Sequence, residues 1–244
     1  MTWLGHDGAA LAARLGLPRV VALPAVGSTM DAAHELAALG APAGTLVIAE
    51  RQEAGRGRNG RAWQSAPGAG LWLTLIERPA TPAALEVLSL RVGLALAPAL
   101  ERWTTAPIRL KWPNDLFVGE RKLAGVLLEA RWRGERPDWV ALGVGVNLVV
   151  PHGVPESAAL VDAEAEQALA AVIPAVRAAA ARTGPLTADE LSAFAARDFA
   201  SGRRVSAPAL GTVRGITASG ALLVETLDGI VPVHSGSLVL ATTP

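Results

Sequence analysis

The sequence predicts an α+β fold, with a mixed, mostly antiparallel sheet packed with helices and a small all-β barrel behind it. Three observations carry this. Up to about residue 200, apolar runs of strand length are interleaved with apolar patterns of helical period. In the middle of that stretch the strands are joined by hairpin turns, which makes them antiparallel. After Gly202 the helical period stops, and short strands are punctuated by Ser219-Gly220, Asp228-Gly229 and Ser235-Gly236. The expected units are residues 1–200 and 201–244.

In chain order, "STMDAAHELAALG" reads as a helix. A capping box between Ser28 and Asp31 opens it, and Gly40 with Pro42 stops it. "GTLVIAE" (44–50) and "GLWLTLIE" (70–77) read as strands, the second with Leu71, Leu73 and Leu75 on one face. From Pro82 to Trp103, apolar residues recur at Leu85, Leu88, Val92, Leu96, Leu100 and Trp103, the spacing of one long core-facing helix. The block "IRLKW", "LFV", "KLAGVLLEARW" and "DWVALGVGVNLVV" follows, with hairpin turns at 119–120 and 134–137. Two helices come next. The Ala-rich "AAVIPAVRAAAAR" has high helix propensity, and "TADELSAFAARDFA" opens on a Thr187/Glu190 capping box.

Composition narrows the function classes. The chain has 244 residues, 51% hydrophobic, with 22 Lys plus Arg against 22 Asp plus Glu. A net charge of zero argues against a general nucleic-acid or membrane-surface binder. The absence of cysteine removes disulfides, thiolate metal sites and thiol nucleophiles. No signal peptide and no apolar run of about 18 residues is read, so a cytoplasmic protein is expected. His6, His34, His152 and His234 lack metal spacing and read as structural or surface residues. No Walker-type loop or Ser/His/Asp ordering stands out.

Basic charge matters only where it clusters. Between Arg51 and Arg61 there are four arginines against one glutamate, a net +3 threaded with glycine. Such a segment is either a solvated turn or a loop whose backbone N–H groups and guanidiniums close around an anion. Its place at a strand end, before Trp63, favours a site. "KWPNDL" (111–116) is turn chemistry alone, yet it delivers Lys111, Asn114 and Asp115 together. Asn can read an adenine edge; Asp can hold magnesium or accept an amine proton. Lys122 starts an apolar strand, where a lysine ordinarily snorkels, but Gly125 permits close ligand approach. "GVGVN" (143–147) reads as tight strand packing or as space left for a ligand.

"STM", "ERQEAGRGRNGRAW", "KWPND", "RKLAGVLLE" and "GVGVN", in that order, resemble the biotin protein ligases. "GTVRGITASGALLVE" and "GSLVL" resemble that family's small Src-homology-3-like barrel. The resemblance implies a two-step reaction. Biotin and ATP give biotinyl-5′-AMP and pyrophosphate, and a lysine of a carboxylase's biotin carboxyl carrier domain then takes the biotinyl group, releasing AMP. It implies that Ser28, Thr29 and Gln52 wall the ureido ring, and that Arg56, Gly57 and Arg58 close over carboxylate and phosphate. Lys122 would bridge the reacting groups, with Arg58 and Asp115 completing the catalytic set and Asp115 orienting the incoming lysine. Trp63 would stack on adenine, with Lys111, Asn114 and Asn147 on the nucleotide. Magnesium is implied by ATP chemistry, with no ligands legible. Met30 and Val149 stand where relatives often carry Asn. A homodimer is compatible with exposed strand edges.

Three other readings stand beside this one. A lipoate or octanoate ligase shares the fold but carries a different glycine-rich motif. A biotin-responsive repressor needs a helix-turn-helix, and only 27 residues, not basic in composition, precede Ser28, so no nucleic-acid partner is expected. A non-catalytic anion-binding module predicts ligand binding without ATP turnover.

Overall fold

The structure is a computed structural model and describes residues 1–79 and 81–241; the final three residues of the expected 201–244 unit lie outside that range. The chain opens with a ribbon, β1 (Thr2–Trp3) and β2 (His6–Asp7), and helix α1 (Gly8–Leu15). The Asp7 carboxylate caps α1 by accepting from the Ala10 N–H, and Gly16 closes it in the left-handed conformation. β3 (Arg19–Leu23) follows. Neither α1 nor β3 is among the expected elements.

Helix α2 (Thr29–Ala38) forms as expected, but its capping box does not. Ser28 Oγ accepts from the Met30 N–H at 3.2 Å, and Asp31 turns away to pair with Arg56. β4 (Thr45–Ala49) and β5 (Gly70–Glu77) are the two expected strands. The single helix expected from Pro82 to Trp103 is broken. α3 (Ala83–Glu86) ends at Val87, α4 (Leu88–Leu100) restarts, and a 3₁₀ turn carries the chain from Glu101 to Trp103. β6 (Ile108–Lys111), β7 (Asp115–Val118), β8 (Arg121–Arg133) and β9 (Arg136–Asn147) form consecutive antiparallel hairpins. α5 (Ala165–Ala180) and α6 (Ala188–Arg197) follow, α6 with its Thr187/Glu190 capping box formed.

The seven strands lie in the order β3-β4-β5-β9-β8-β7-β6, with β3–β4 the one parallel pair. The two-residue period of β5 and β9 sorts the faces. Leu71, Leu73, Leu75, Leu142, Val144 and Val146 enter the main core, shared with α1, α4 and α5. Each such side chain contributes about 1.5–3 kcal/mol relative to exposure. On the opposite face, α2 packs Met30, Ala33 and Ala37 against Val47, Ile76 and Ala141. Further along that face the strands carry Trp72, Thr74, Gly143 and Gly145, which only the first turn of the helix reaches, with Thr29 at Thr74 and Met30 over Gly143.

The C-terminal strands are β10 (Arg204–Ala207), β11 (Gly211–Ile216), β12 (Leu222–Thr226), β13 (Gly229–Val233) and β14 (Val239–Leu240). They make one antiparallel sheet in the order β13-β12-β11-β10-β14. Val205, Val213, Leu222, Val224 and Leu238 join the main core, so apolar packing is continuous across residue 200.

Candidate functional site

This part of the sheet face is the floor of a cavity of about 360 Å³, a volume within the usual range for small-molecule sites. Its floor follows from strand register. Trp72 pairs with Gly145, Gly145 with Gly125, and Gly125 with Asp115, giving one row across β5, β9, β8 and β7. Two glycines in the middle of that row leave a flat bed. The Trp63 indole lies on it: a β-carbon at Gly145 would come within 2.7 Å of the ring, and one at Gly125 within 3.1 Å. Trp63 also meets Trp72 edge-on at 6.4 Å between ring centroids.

One end of the cavity is polar and neutral. Gln52 Oε1 accepts from the Thr29 N–H and from Thr29 Oγ1, both at 2.9 Å, and Gln52 Nε2 donates to Ser65 Oγ at 2.9 Å. Thr29 Oγ1 lies 2.9 Å from Thr74 Oγ1 on β5. The other end is charged and sits on β8 and β7, two and three strand spacings from β5, roughly 10 to 14 Å at about 4.8 Å per strand. Lys122 Nζ is 2.7 Å from Asp115 Oδ1 and 4.9 Å from the Trp63 ring centroid. Burial pushes the Lys111 ammonium below its ordinary range; the charge on Lys122 adds to this and that on Asp115 opposes it. The β6–β7 turn presents Asn114, whose Oδ1 accepts from Arg58 at 3.3 Å and whose Nδ2 donates to the Val126 carbonyl at 2.8 Å.

The arginine loop is a tight hairpin. Gly57 N–H donates to Arg61 O at 2.7 Å, Trp63 N–H to Gly55 O at 2.8 Å, and Arg56 pairs with Ala62. Asn59 takes the left-handed conformation at φ 57°, which asparagine tolerates better than most residues, and reaches Ser237 Oγ at 3.2 Å. Ser237 and Leu238 of the C-terminal sheet thereby line the same cavity.

Ser28, Thr29, Gln52, Arg56, Gly57 and Arg58 line this one cavity, as do Trp63, Lys111, Asn114, Asp115, Lys122 and Asn147. Arg56 and Asn147 have internal partners besides those given above. The Arg56 guanidinium is held by Asp31 and Glu129. Asn147 Nδ2 donates to the Ala158 carbonyl at 3.0 Å, while its buried Oδ1 has no partner among the described residues. Thr74, Ser65, Glu129 and Ser237 are absent from the sequence reading. Only Glu129 had a signal there, since it shares the period-2 face of Gly125 and Leu127 on β8.

A glycine floor, a neutral polar end and a cationic end together make a cleft of small-molecule size. The chain belongs to the biotin/lipoate A/B protein ligase family, whose model matches residues 23–147, just over half of it. A second model, the biotin protein ligase C-terminal domain, matches residues 201–240. The bifunctional ligase/repressor BirA of Bacillus subtilis (strain 168) is 40% identical over 122 residues, 50% of this chain and 38% of that protein. The biotin–[acetyl-CoA-carboxylase] ligase of Paracoccus denitrificans is 41% identical over 117 residues, 47% of each chain. The matched stretch thus spans less than half the length of either relative. Among solved structures, the biotin protein ligase from Aquifex aeolicus in complex with biotin and ATP superposes with a TM-score of 0.74. It is 26% identical, and the match covers 92% of this chain and 99% of that one.

Proposed function

We propose that the protein activates biotin with ATP as biotinyl-5′-AMP and transfers the biotinyl group to a lysine of a carboxylase's biotin carboxyl carrier domain. The observation that carries this is the two-ended cavity. A ureido ring needs donors and acceptors together, which Gln52, Thr29 and Ser28 supply at the neutral end. A dithiolane ring asks for neither, so this end favours biotin over lipoate.

In the first step a biotin carboxylate oxygen bonds to the α-phosphorus of ATP, and pyrophosphate leaves with the electrons of the broken P–O bond. Two anions must approach each other, so fixed positive charge supplies most of the rate. Lys122 bridges the carboxylate and the α-phosphate, and Arg58 closes from the loop. Trp63, with Lys111, Asn114 and Asn147, holds the nucleotide. In the second step the acceptor amine bonds to the acyl carbon and AMP leaves. Asp115 takes the proton that the amine must lose. Magnesium would arrive with the ATP phosphates. Among the described residues no group of three or more His, Cys, Asp or Glu gathers to hold a metal, but Asp115 and the unpartnered Oδ1 of Asn147 are oxygen donors that suit a hard cation.

The partners proposed are the carrier domain, biotin and ATP, with no nucleic acid and a cytoplasmic location. Among the described residues no helix is long and apolar enough to cross a membrane.

The test is ATP–pyrophosphate exchange with biotin, with lipoate and with no acid. Exchange with biotin alone supports the proposal. Exchange with lipoate alone would keep the mechanism and overturn the ring assignment. Lys122→Ala is expected to lower exchange by about 10²–10³-fold, the usual effect of removing one charge-stabilising donor. Near-normal turnover would take Lys122 out of the mechanism.

A further inference from the structure

Arg56 differs from the other arginines of its loop. Its NH1 donates to Asp31 Oδ2 at 2.8 Å, and its NH2 lies 2.7 Å from Asp31 Oδ1. Its Nε donates to Glu129 Oε1 at 3.0 Å and its NH2 to Glu129 Oε2 at 3.2 Å. The guanidinium is therefore gripped in bidentate fashion from two sides, by α2 and by β8. Arg58 has one bond, to Asn114, and no ion pair among the described residues. An incoming anion would have to displace two carboxylates to reach Arg56, and none to reach Arg58.

Glu129 is itself held from behind. His34 Nε2 lies 3.2 Å from Glu129 Oε2, and Trp139 Nε1 lies 2.9 Å from His34 Nδ1. An indole N–H can only donate, so His34 Nδ1 accepts and the ring proton sits on Nε2, facing Glu129. The network therefore has one polarity. Trp139 donates to His34, His34 to Glu129, and Arg56 donates to both Glu129 and Asp31. It joins α2, β8 and β9 to the start of the loop.

We propose that Arg56 is the structural anchor of the arginine loop rather than an anion contact, and that His34 is a positioning residue acting on the loop through Glu129. The loop's hinge end is then fixed to the sheet, while residues 57–61 close over the ligand. The charge that faces the two anions comes from Arg58, Lys111 and Lys122. This rests on the reading of the loop as a cover for biotinyl-5′-AMP.

The test uses the full chain, with circular dichroism to establish folding, and has two arms. In the ligand-free arm, trypsin cleavage after Arg58 and Arg61 is followed by mass spectrometry. Asp31→Asn combined with Glu129→Gln is expected to raise cleavage on the order of tenfold by freeing the local opening. In the ligand arm, biotinyl-5′-AMP is expected to dissociate from the double variant on the order of tenfold faster, about 1.4 kcal/mol, with a raised KM for biotin and little change in kcat for exchange.

The sign is decisive. Were Arg56 an anion contact restrained by these carboxylates, the double variant would bind biotin more tightly, and the proposal would fall. His34→Gln keeps a donor toward Glu129 and an acceptor for Trp139, so it is expected to match the parent protein. His34→Leu fills the space with neither and is expected to match the double variant. The reverse order would reduce His34 to packing and overturn its part. If the parent protein shows no exchange with biotin, the functional reading fails, while the trypsin arm still decides the anchor. Unchanged cleavage in folded double variant overturns it.

Discussion

His34 is buried between Trp139 and Glu129 with its ring neutral. Burial holds its pKa below the ordinary 6.5, and the nearby charges of Arg131 and Arg56 press it the same way, against Glu129. In the unfolded chain the ring takes up a proton near 6.5; in the folded chain it does so only at lower pH. The stability this neutral ring contributes is thus fully present above 6.5. It is lost as pH falls from there through the folded value. Glu129 behaves differently. Burial alone would raise its carboxyl, but hydrogen bonds from Arg56 hold it below 4.5, so its contribution is lost only below that point. Urea midpoints between pH 7.5 and pH 5, as working limits of roughly neutral and mildly acid buffer, are expected to fall for the parent protein and to stay flatter for His34→Gln. Equal slopes would mean that His34 does not titrate as assigned. From the sequence His34 was only one of four scattered histidines. Its partners lie 95 and 105 residues away, and nothing local in the chain joins them.

Strands were the more legible elements, because short apolar runs bounded by turn residues mark them even where both faces are packed, as in β4. Strand β5 and the hairpins at 119–120 and 134–137 read directly, and so did the glycines of "GVGVN". What the pattern could not show is that Gly145 and Gly125 face each other across β9 and β8 with Trp63 lying on both. That pairing turns an isolated glycine signal into a built surface. Gly145→Ala tests it. The new methyl would sit 2.7–2.9 Å from three indole atoms, closer than real contacts allow, so the ring must lift. Overpacking of this kind costs about 1–3 kcal/mol. Trp63 should become more exposed, seen as a red shift in tryptophan emission, and ATP should bind more weakly in calorimetry. An unshifted spectrum with unchanged affinity would show that the bed is not where Trp63 works. Helices were less legible. The spacing from Leu85 to Trp103 is continuous, yet the chain breaks at Val87. Val87 and Leu90 there pack against Gly220, 130 or more residues downstream, a contact no local pattern contains.

At the scale of the whole molecule, that contact makes the C-terminal sheet part of the site's foundation. Trp112, two residues before Asn114, is buried and donates its indole N–H to the Gly220 carbonyl at 2.9 Å. The Leu186 N–H donates to Ala218 O at 2.8 Å, and Asn59 of the arginine loop meets Ser237. The turn carrying Lys111, Asn114 and Asp115 is thus braced from behind by residues 218–220, and the loop is met from the front by residue 237. The change of character at Gly202 was legible; the continuous core beneath it was not, because buried valines and leucines do not announce their partners. Two consequences can be measured. Unfolding in urea is expected to be one transition, with far-ultraviolet circular dichroism and tryptophan fluorescence coincident. Gly220→Ala is expected to lower stability by about 1–3 kcal/mol. The residue has φ +81°, and a β-carbon would lie 3.0 Å from Leu90 Cδ1 and 3.1 Å from Val87 Cγ1. Because the strain is passed to Trp112, the variant should also raise the KM for ATP although residue 220 does not line the cavity. Two separate transitions, or a destabilised variant with an unchanged KM, would mean that the C-terminal sheet is attached to the catalytic sheet without bracing it.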